Sequence, residues 1–435
     1  MIREPIIMAC TCEIAGRVRG KGFPAADLPS RLEKGVGWVP TNTMISALGP
    51  IADTPFGATG DMILVPDPTT EVNVDFGDGS VPERWFLGDI RLTDGTPWEC
   101  CPREFLRRAL RDLDEAAGLQ LFAAFEHEFV YSGVEDRPGA PYSLDLYRRQ
   151  GGFGETLLAA MRAAGVEPDS FLPEYGARQF EVTCAPALGM KAADDAVKVR
   201  EMARAVAIRL GHRATFSPIL DPEGTGSGVH IHFSFRDRES GSATYDPARP
   251  FMLTETAGHF MAGILAHLPA IAAITAPSPV SYIRLRPDRW APTWGYIADR
   301  DREASLRICP VVGGTSEDAR RRFNVEFRPA DAAASPYLAL GVLVHAGVDG
   351  IRRRLKLPDL DGIAAMDAAE REAAGIRRLP QSLAEALDEL EADAGAKNWF
   401  GAIYLDAYLR HKRAEIGMVA GLDERAQCDL YAESY

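Results

Sequence analysis

The sequence lacks an excess of positive charge. Its 48 lysine and arginine residues are outnumbered by 62 aspartate and glutamate residues, which gives a formal net charge of −14 and an isoelectric point near 5.2. A protein that binds nucleic acid through its phosphates needs a basic surface. The composition therefore counts against nucleic acid as a partner and fits a protein that binds cations.

Paired cysteines and long apolar runs are also missing. The seven cysteines contain no C-x-x-C pair, and Cys10/Cys12 and Cys100/Cys101 are too close together for a disulfide framework, so we expect a reducing compartment. No apolar run reaches the roughly 20 residues that a membrane span needs, and no apolar signal segment follows Met1. We therefore expect a cytoplasmic protein without a membrane partner.

The 435 residues are enough for two domains, and the sequence pattern changes near residue 100. Before this point, short β-prone runs occur at residues 6–20, 61–67 and 84–90, while residues 35–60 are rich in glycine, proline and threonine, which predicts loops. After it, apolar residues at helical spacing predict helices at residues 102–118, 151–165, 190–211, 254–276, 335–355, 380–396 and 397–415. Strands lie between these helices, so the sequence predicts an α+β fold.

Two glutamates directly follow a β-prone run at residues 119–125. Residues 119–125 are apolar enough to form a buried strand, and Glu126 and Glu128 follow it two residues apart. On a strand, both carboxylates point to the same face. Two neighbouring carboxylates repel each other unless a cation lies between them, and a divalent metal would serve. The alternative is a solvated strand end.

Later segments carry further acids and histidines on β-prone stretches. A glycine-rich turn at 224–228 leads into one of these. Alternation places the polar residues of 230–234 on one face of their strand and those of 326–328 on one face of theirs, while the acids of 174–181 lie next to a further β-prone run. The side chains concerned are Glu174 and Glu181; His230, His232 and Ser234; and Glu326 and Arg328. A ligand set rich in oxygen suits Mg²⁺ or Mn²⁺ better than Zn²⁺.

These segments resemble the glutamine synthetase superfamily of ATP-dependent carboxylate–amine ligases. The matching motifs are E-H-E at 126–128, E-x₆-E at 174–181, G-S-G-V-H-I-H-F-S at 226–234, S-Y-I-R-L-R-P at 281–287 and E-F-R-P-A-D at 326–331. Their order and spacing match the family, and the resemblance runs from about residue 10 to the last residues. It implies a small β-grasp domain over residues 1–100 and a catalytic domain over residues 101–435, with a curved antiparallel sheet and helices.

The resemblance also implies two metal ligand sets, and a total of two or three ions in each active site. Glu128, Glu174 and Glu181 would hold one ion, and the second set consists of Glu126, His230 and Glu326.

The chemistry implied by the family begins with ATP. A carboxylate is a poor electrophile, and ATP activates it as an acyl phosphate that an amine then attacks. By resemblance, Arg302 faces the transferred phosphoryl group and Arg307 faces the ATP phosphates, while His232 and Ser234 lie near the nucleotide. Arginine suits these roles because its planar guanidinium is always charged. Arg302 is therefore a candidate catalytic residue, together with Glu326 and Arg328.

The acid substrate needs its own clamp, and glutamate is the default acid. Arg284 and Arg328 match the family's carboxylate-binding arginines, and Gly226 lies where the backbone approaches the substrate. The chain departs from the family at Thr225, where asparagine is usual, and at Asn324, where arginine is usual.

The chain differs most from the family on the amine side. Residues 33–40 contain no F-D-G-S-S segment, and Trp290 stands where a carboxylate is expected to help hold ammonium. An aromatic wall instead packs an alkyl amine or lies over a cationic one. The segment 290–295 resembles the γ-glutamylpolyamine synthetase branch of the family. We therefore expect a ligase that forms a γ-glutamyl amide from glutamate and an organic amine, with Trp290 as a substrate-binding residue.

Other readings remain open. An ammonia-using glutamine synthetase is the main alternative, and an acid from another loop, with Glu13 and Asp53 as candidates, would restore ammonium binding. A catalytically inactive structural or regulatory relative and a guanidino kinase-type phosphotransferase are further alternatives. The family also implies small-molecule substrates and a homo-oligomeric ring, a dodecamer being one form, with active sites between subunits.

Overall fold

The computed structural model describes residues 2–57, 60–238, 241–287, 289–311, 313, 315–358 and 362–435. Within these ranges, no one helix has the length and apolar character needed to cross a membrane, although the bent pair Glu255–Ala266 and Leu268–Thr275 meets both criteria when taken together.

The first hundred residues form a mixed sheet with one helix, α1 (Leu28–Lys34), beside it. The order along the sheet is β2-β1-β6-β4-β3, and β5 pairs with β6. The strand β1 runs parallel to β6, and the other pairs are antiparallel. The strands are β1 (Ile6–Cys12), β2 (Val18–Pro24), β3 (Val36–Trp38), β4 (Met62–Pro66), β5 (Val72–Val74) and β6 (Glu83–Leu92).

The rest of the chain builds a larger sheet. Its order is β14-β15-β16-β12-β7-β9-β8, with β10 and β11 on β7 and β13 on β12; β14 and β15 are parallel and the other pairs are antiparallel. The strands are β7 (Leu119–Tyr131), β8 (Pro168–Pro173), β9 (Gln179–Cys184), β10 (Ala187–Leu188), β11 (Ala214–Thr215), β12 (Val229–Asp237), β13 (Gly241–Ser242), β14 (Trp294–Asp299), β15 (Ala304–Ile308) and β16 (Val325–Phe327).

Helices cover the large sheet. The helix α5 packs on β7, and α10 packs against α2 and α6. The helices of this part are α2 (Pro102–Ala117), α3 (Leu144–Arg149), α4 (Phe153–Ala163), α5 (Met190–Arg209), α6 (Glu255–Ala266), α7 (Leu268–Thr275), α8 (Ser281–Arg284), α9 (Ser316–Arg322), α10 (Pro336–Arg353), α11 (Ala368–Ala373), α12 (Leu383–Ala392), α13 (Ala394–Phe400), α14 (Ala402–Met418) and α15 (Glu424–Ser434). The predicted α+β fold is confirmed.

Several predicted elements differ from the structure. The predicted helix at 254–276 is two helices, α6 and α7, bent by 76°. Pro269 lies in the first turn of α7, where a backbone N–H has no partner inside the helix, so its absence does not destabilise α7. In one continuous helix the same position would be internal, and the proline would break it. The predicted loop at 35–60 contains the strand β3, and residues 58 and 59 lie outside the described residues. The two helices predicted at 380–396 and 397–415 are three helices, α12, α13 and α14, in the structure. The breaks lie at Asp393, which caps α13, and at Gly401, whose φ is +75°.

The N-terminal part is fastened to α14 through buried polar groups. The backbone N–H of Ala47 donates to Glu415 Oε1 at 2.8 Å, and Lys412 Nζ donates to Glu415 Oε2 at 3.0 Å.

Glu13, also in the N-terminal part, is wholly buried, and its carboxylate lies 3.4 Å from Arg19 Nε. Burial raises the pKa of Glu13 to about 8, against the opposing effect of Arg19. A side chain enclosed in this way cannot reach a substrate amine.

Candidate active site

The strand β7 separates the site from the core by strict alternation. Phe125, His127 and Phe129 are buried, while Glu126 and Glu128 lie half-buried on the opposite face. The predicted common face of the two glutamates is confirmed. Because both neighbouring strands pair with β7 in register, the side chains on this face meet those of β9 and β12.

Glu126 contacts both histidines of β12. It pairs directly with His230 across the sheet, and its Oε2 lies 3.3 Å from His230 Nδ1 and 2.9 Å from His232 Nε2. Burial acts to raise the pKa of Glu126, but the hydrogen bonds from His230 and His232 outweigh it and hold that pKa far below its usual range. Glu126 is therefore an ionised carboxylate.

Glu326 lies on β16, the strand that pairs with β12, and its carboxylate lies between two arginine side chains. Its Oε1 accepts a hydrogen bond from Arg328 Nη1 and lies 3.4 Å from His230 Nδ1, while its Oε2 accepts one from Arg307 Nη1 at 2.7 Å. Although burial opposes it, the positive charge around the carboxylate lowers the pKa of Glu326 to about 2. Ligand atoms of Glu126, His230 and Glu326 lie within 4.8 Å of one another, so these three residues could hold one metal ion.

The other three glutamates of the predicted metal sets line the same cavity. Glu128 and Glu181 are direct cross-strand neighbours on β7 and β9, and Glu174 follows β8. Burial, aided by Glu126, Glu128 and Glu174, raises the pKa of Glu181 to about 10, and burial also raises that of Glu128. Within the described residues, neither Glu128 nor Glu181 has an arginine or lysine ion-pair partner. Buried carboxylates that lack a cation fit a divalent metal.

The two arginines of the predicted carboxylate clamp are buried and tied to the backbone. Arg284 donates to Pro329 O at 3.0 Å and to Arg328 O at 3.2 Å, and Arg328 Nε donates to Arg302 O at 2.9 Å. Both arginines line the same cavity as the glutamates. These bonds hold each fork in one orientation.

Gly226 has a structural reason to lack a side chain. A Cβ there would lie 2.6 Å from Arg284 Cγ and 2.9 Å from Pro218 O. Gln179 also fixes this turn, because its Nε2 donates to Gly226 O at 2.9 Å and to Ser227 Oγ at 3.0 Å. The glycine-rich turn thus lies directly over Arg284, a constraint that is separate from the predicted approach to substrate.

The residues predicted to bind ATP divide between two cavities. Arg302 and Arg307 line the cavity of the glutamates, and Ser234 lines a neighbouring cavity of about 460 Å³. His232 and Glu126 line both, so the two cavities meet at these side chains.

Models of known families match both parts of the chain. The glutamine synthetase catalytic domain matches residues 99–431, and the glutamine synthetase N-terminal domain matches residues 4–98. The chain belongs to the glutamine synthetase family. It is 35% identical to the γ-glutamylpolyamine synthetase GlnA3 of Streptomyces coelicolor, over 97% of this chain and 92% of the relative. It is 30% identical to the glutamine synthetase of Thermococcus kodakarensis, over 95% and 89% of the two chains.

Solved structures agree with this assignment. A crystal structure described as a novel glutamine synthase homolog is 41% identical and has a TM-score of 0.92, covering 100% of this chain and 99% of that one. The ligand-free structure of GmaS is 25% identical with a TM-score of 0.80, covering 96% and 94%. The predicted family and the predicted class, an ATP-dependent ligase that forms C–N bonds, are confirmed. The family uses ATP and divalent metal ions and acts on small molecules.

Aromatic side chains surround the open end of the glutamine synthetase cavity in this chain. Trp290 is 56% exposed and Tyr175 is 50% exposed, and their rings meet edge to face with centroids 4.8 Å apart. Tyr142 is 57% exposed and donates from its hydroxyl to Glu174 Oε2 at 2.8 Å. All three line the cavity. The structure thus gives Trp290 an aromatic neighbour.

The sequence predictions missed several residues of this family site. Tyr175 follows Glu174 within a matched motif, and Cys309 lies two residues after Arg307, so both could have been found by position. Tyr142 lies on a loop far from any motif and gave no signal. The roles of the predicted site residues stay predictions, although the structure brings all of them to the two joined cavities.

Proposed function

We propose that the protein is an ATP-dependent ligase that joins the γ-carboxylate of glutamate to an organic amine larger than ammonia. The aromatic wall of Trp290 and Tyr175 at the cavity mouth carries this proposal. Ammonium gains little from such a wall, whereas each buried methylene of an amine gains about 0.8 kcal/mol. The similarity to the γ-glutamylpolyamine synthetase of Streptomyces coelicolor supports the same class.

Divalent metal fits the glutamate-lined cavity, and Mg²⁺ or Mn²⁺ suits its oxygen-rich ligands best. Glu128, Glu174 and Glu181 would hold one ion, and the second set is Glu126, His230 and Glu326. Bound there, metal supplies positive charge that screens the phosphates of ATP during transfer to the carboxylate.

The side chains of the protein do the rest of the positioning. Arg284 and Arg328 bind the acid substrate, because both buried arginines line the cavity and their guanidinium groups are held in fixed orientations. Arg302 and Arg307 line the same cavity and stabilise negative charge on the transferred phosphoryl group. His232 and Ser234 contact the nucleotide from the second cavity. The amine then attacks the resulting acyl phosphate and phosphate leaves.

We also propose that the working form is a homo-oligomeric ring in the cytoplasm, with a dodecamer as one form. Asp53 supports a role for a neighbouring subunit, since its side chain is 79% exposed on the N-terminal part and paired only with Arg410 among the described residues. Asp53 remains the candidate carboxylate for binding the substrate amine, because Glu13, the other candidate, is fully buried.

The test is ADP release with glutamate and a panel of amines at one pH. The panel contains ammonium, methylamine, ethylamine, putrescine and an aromatic amine, and the measured quantity is kcat/KM for each. We expect an organic amine to exceed ammonium by at least about tenfold. If ammonium wins by that factor, the protein is an ordinary glutamine synthetase, and if no amine supports ADP release, the inactive-relative alternative holds.

A further inference from the structure

A thiol lies beside two of the active-site side chains. Cys309 directly follows β15 and is half-buried. Its Sγ lies 3.6 Å from His232 Nδ1 and 3.6 Å from Glu326 Oε2. The proposed reaction uses His232 and Glu326 and has no step for a thiol.

We propose that Cys309, His232 and Glu326 form a site for a thiophilic divalent metal ion such as Zn²⁺, and that this ion inhibits the ligase. Zinc prefers a tetrahedron with sulfur at about 2.3 Å and nitrogen or oxygen at about 2.0–2.1 Å. These lengths place sulfur about 3.6 Å from each of the other two ligands. Both distances from Sγ already have this value, so the thiol needs no large movement.

Glu326 can serve this site because its two oxygens face different groups. Oε1 faces His230 and Arg328, whereas Oε2 faces Cys309 and Arg307. The ligand atoms of Glu126, His230 and Glu326 form one group and those of His232, Cys309 and Glu326 form a second. The sulfur-containing group selects a softer ion than the oxygen-rich group does.

His232 is oriented for metal binding at Nδ1. Its Nε2 lies 2.9 Å from Glu126 Oε2, so a protonated Nε2 donates to this carboxylate and leaves Nδ1 for the metal. A carboxylate behind a metal-binding histidine fixes the tautomer and raises the basicity of the ligand. Binding would replace the 3.0 Å contact in which Nδ1 donates to Asn324 Oδ1, so the Nδ1 proton and the Cys309 thiol proton would both pass to solvent.

Occupancy of the site would disturb the nucleotide side of the reaction. Arg307 Nη1 donates to Glu326 Oε2 at 2.7 Å, and a metal ion on that oxygen would repel the guanidinium. The bound ion would also occupy His232 Nδ1, so this nitrogen could not contact a nucleotide where the two cavities meet.

Metal binding is tested first without any activity measurement. The full-length protein, with excess Mg²⁺ present, is titrated with Co²⁺ as a spectroscopic probe, and the thiolate-to-cobalt charge-transfer absorption is recorded. We expect the band in the wild type and in Cys184→Ser, and its loss in Cys309→Ser. Cys184 is the matched control, because its thiol lines the second cavity but has no histidine contact among the described residues. A band that persists in Cys309→Ser, or that Cys184→Ser removes, would overturn the proposal.

Inhibition by Zn²⁺ is tested second, in excess Mg²⁺, with each variant compared with its own rate in the absence of Zn²⁺. Loss of an outer-shell partner already costs 10–100-fold in metal affinity. We therefore expect Cys309→Ser to raise the half-inhibitory Zn²⁺ concentration at least about tenfold, and Cys184→Ser to leave it unchanged. Equal inhibition of the wild type and Cys309→Ser would refute an inhibitory role. If Cys309→Ser lacks a measurable rate, the cobalt titration decides the question alone.

Discussion

Glu128 and Glu181 lie directly opposite each other on the adjacent strands β7 and β9. Like charges in this arrangement destabilise a sheet. Burial and the surrounding carboxylates raise the pKa of Glu181 to about 10, so the pair is costly when both groups are ionised. A bound divalent ion removes the repulsion, and the stability of the protein is therefore linked to metal occupancy.

Glu181→Gln should separate stability from metal binding. In excess chelator we expect the variant to be more stable than the wild type by about 1 kcal/mol, because the repulsion is removed. With Mn²⁺ at about 100 times its dissociation constant, the wild type should gain about 2.7 kcal/mol and the variant clearly less. Thermal unfolding with and without Mn²⁺ measures both effects, with Glu135→Gln, an exposed site, as control. Equal stabilisation of Glu181→Gln and wild type by Mn²⁺ would remove Glu181 from the metal ligands.

Arg328→Lys should impair the reaction although the charge is kept. The guanidinium bonds Glu326 and Arg302 O at once, which an ammonium group cannot reproduce. Since a hydrogen bond to a charged group contributes about 1.5–3 kcal/mol, we expect kcat/KM for glutamate to fall roughly hundredfold. Arg162→Lys, at an exposed ion pair with Glu167 outside both cavities, is the control. An unchanged kcat/KM in Arg328→Lys would exclude Arg328 from the clamp.

Removing the aromatic wall should reduce the preference for larger amines. In Trp290→Ala and Tyr175→Ala, a butyl-sized amine loses up to about 3 kcal/mol of apolar contact. We expect the ratio of kcat/KM for n-butylamine to that for ammonium to fall roughly tenfold to hundredfold. Tyr147→Ala, at an exposed position of α3 outside the cavity, should keep the wild-type ratio. A ratio that stays constant in both cavity variants would show that the wall does not select the amine.

Gly226→Ala should damage the site through Arg284. The added Cβ would come within 2.6 Å of Arg284 Cγ and 2.9 Å of Pro218 O, so the turn or the arginine must shift. We expect a higher KM for glutamate and a loss of about 1–3 kcal/mol of stability. In Gly258→Ala on α6 the new Cβ meets nothing within 4 Å, and the variant should gain about 0.5–1 kcal/mol. A KM for glutamate that Gly226→Ala leaves unchanged would contradict the predicted contact.

His267 should make the stability depend on pH. Its Nε2 lies 2.9 Å from Asp349 Oδ2 and its Nδ1 lies 2.7 Å from Asp393 Oδ2. Burial opposes the charged form, but these two hydrogen bonds raise the pKa of His267. A raised pKa stabilises the fold below the unfolded value near 6.5, and the contribution is lost as the pH rises through the folded value. We expect His267→Gln to cost about 2 kcal/mol at about pH 5.5 and less at about pH 9. Chemical denaturation at both pH values is the measurement, and a pH-independent cost would be the contrary result.

Much of the site could be predicted because strand alternation and short local motifs determine where its side chains lie. Glu126 and Glu128 are two residues apart on a strand, and that spacing alone places both on one face. The helix α2 was equally predictable, since Pro102 begins it and Gly118, with φ of +64°, ends it.

What could not be predicted depends on pairings between distant parts of the chain. Tyr142 reaches Glu174 from a loop 32 residues away, and Cys309 meets His232 across 77 residues. No local pattern encodes either contact. The bend between α6 and α7 is different, because Pro269 was visible within the apolar run and a proline there argues for a break.

The buried join between Ala47 and Glu415 spans 368 residues of sequence. During synthesis, domains generally fold as units from the N-terminus as the chain leaves the ribosome. Here the hydrogen bonds that join Ala47 N–H and Ile45 O to α14 cannot form until α14 has been translated. This face of the nascent N-terminal part must therefore stay exposed to water while most of the polypeptide is still being made.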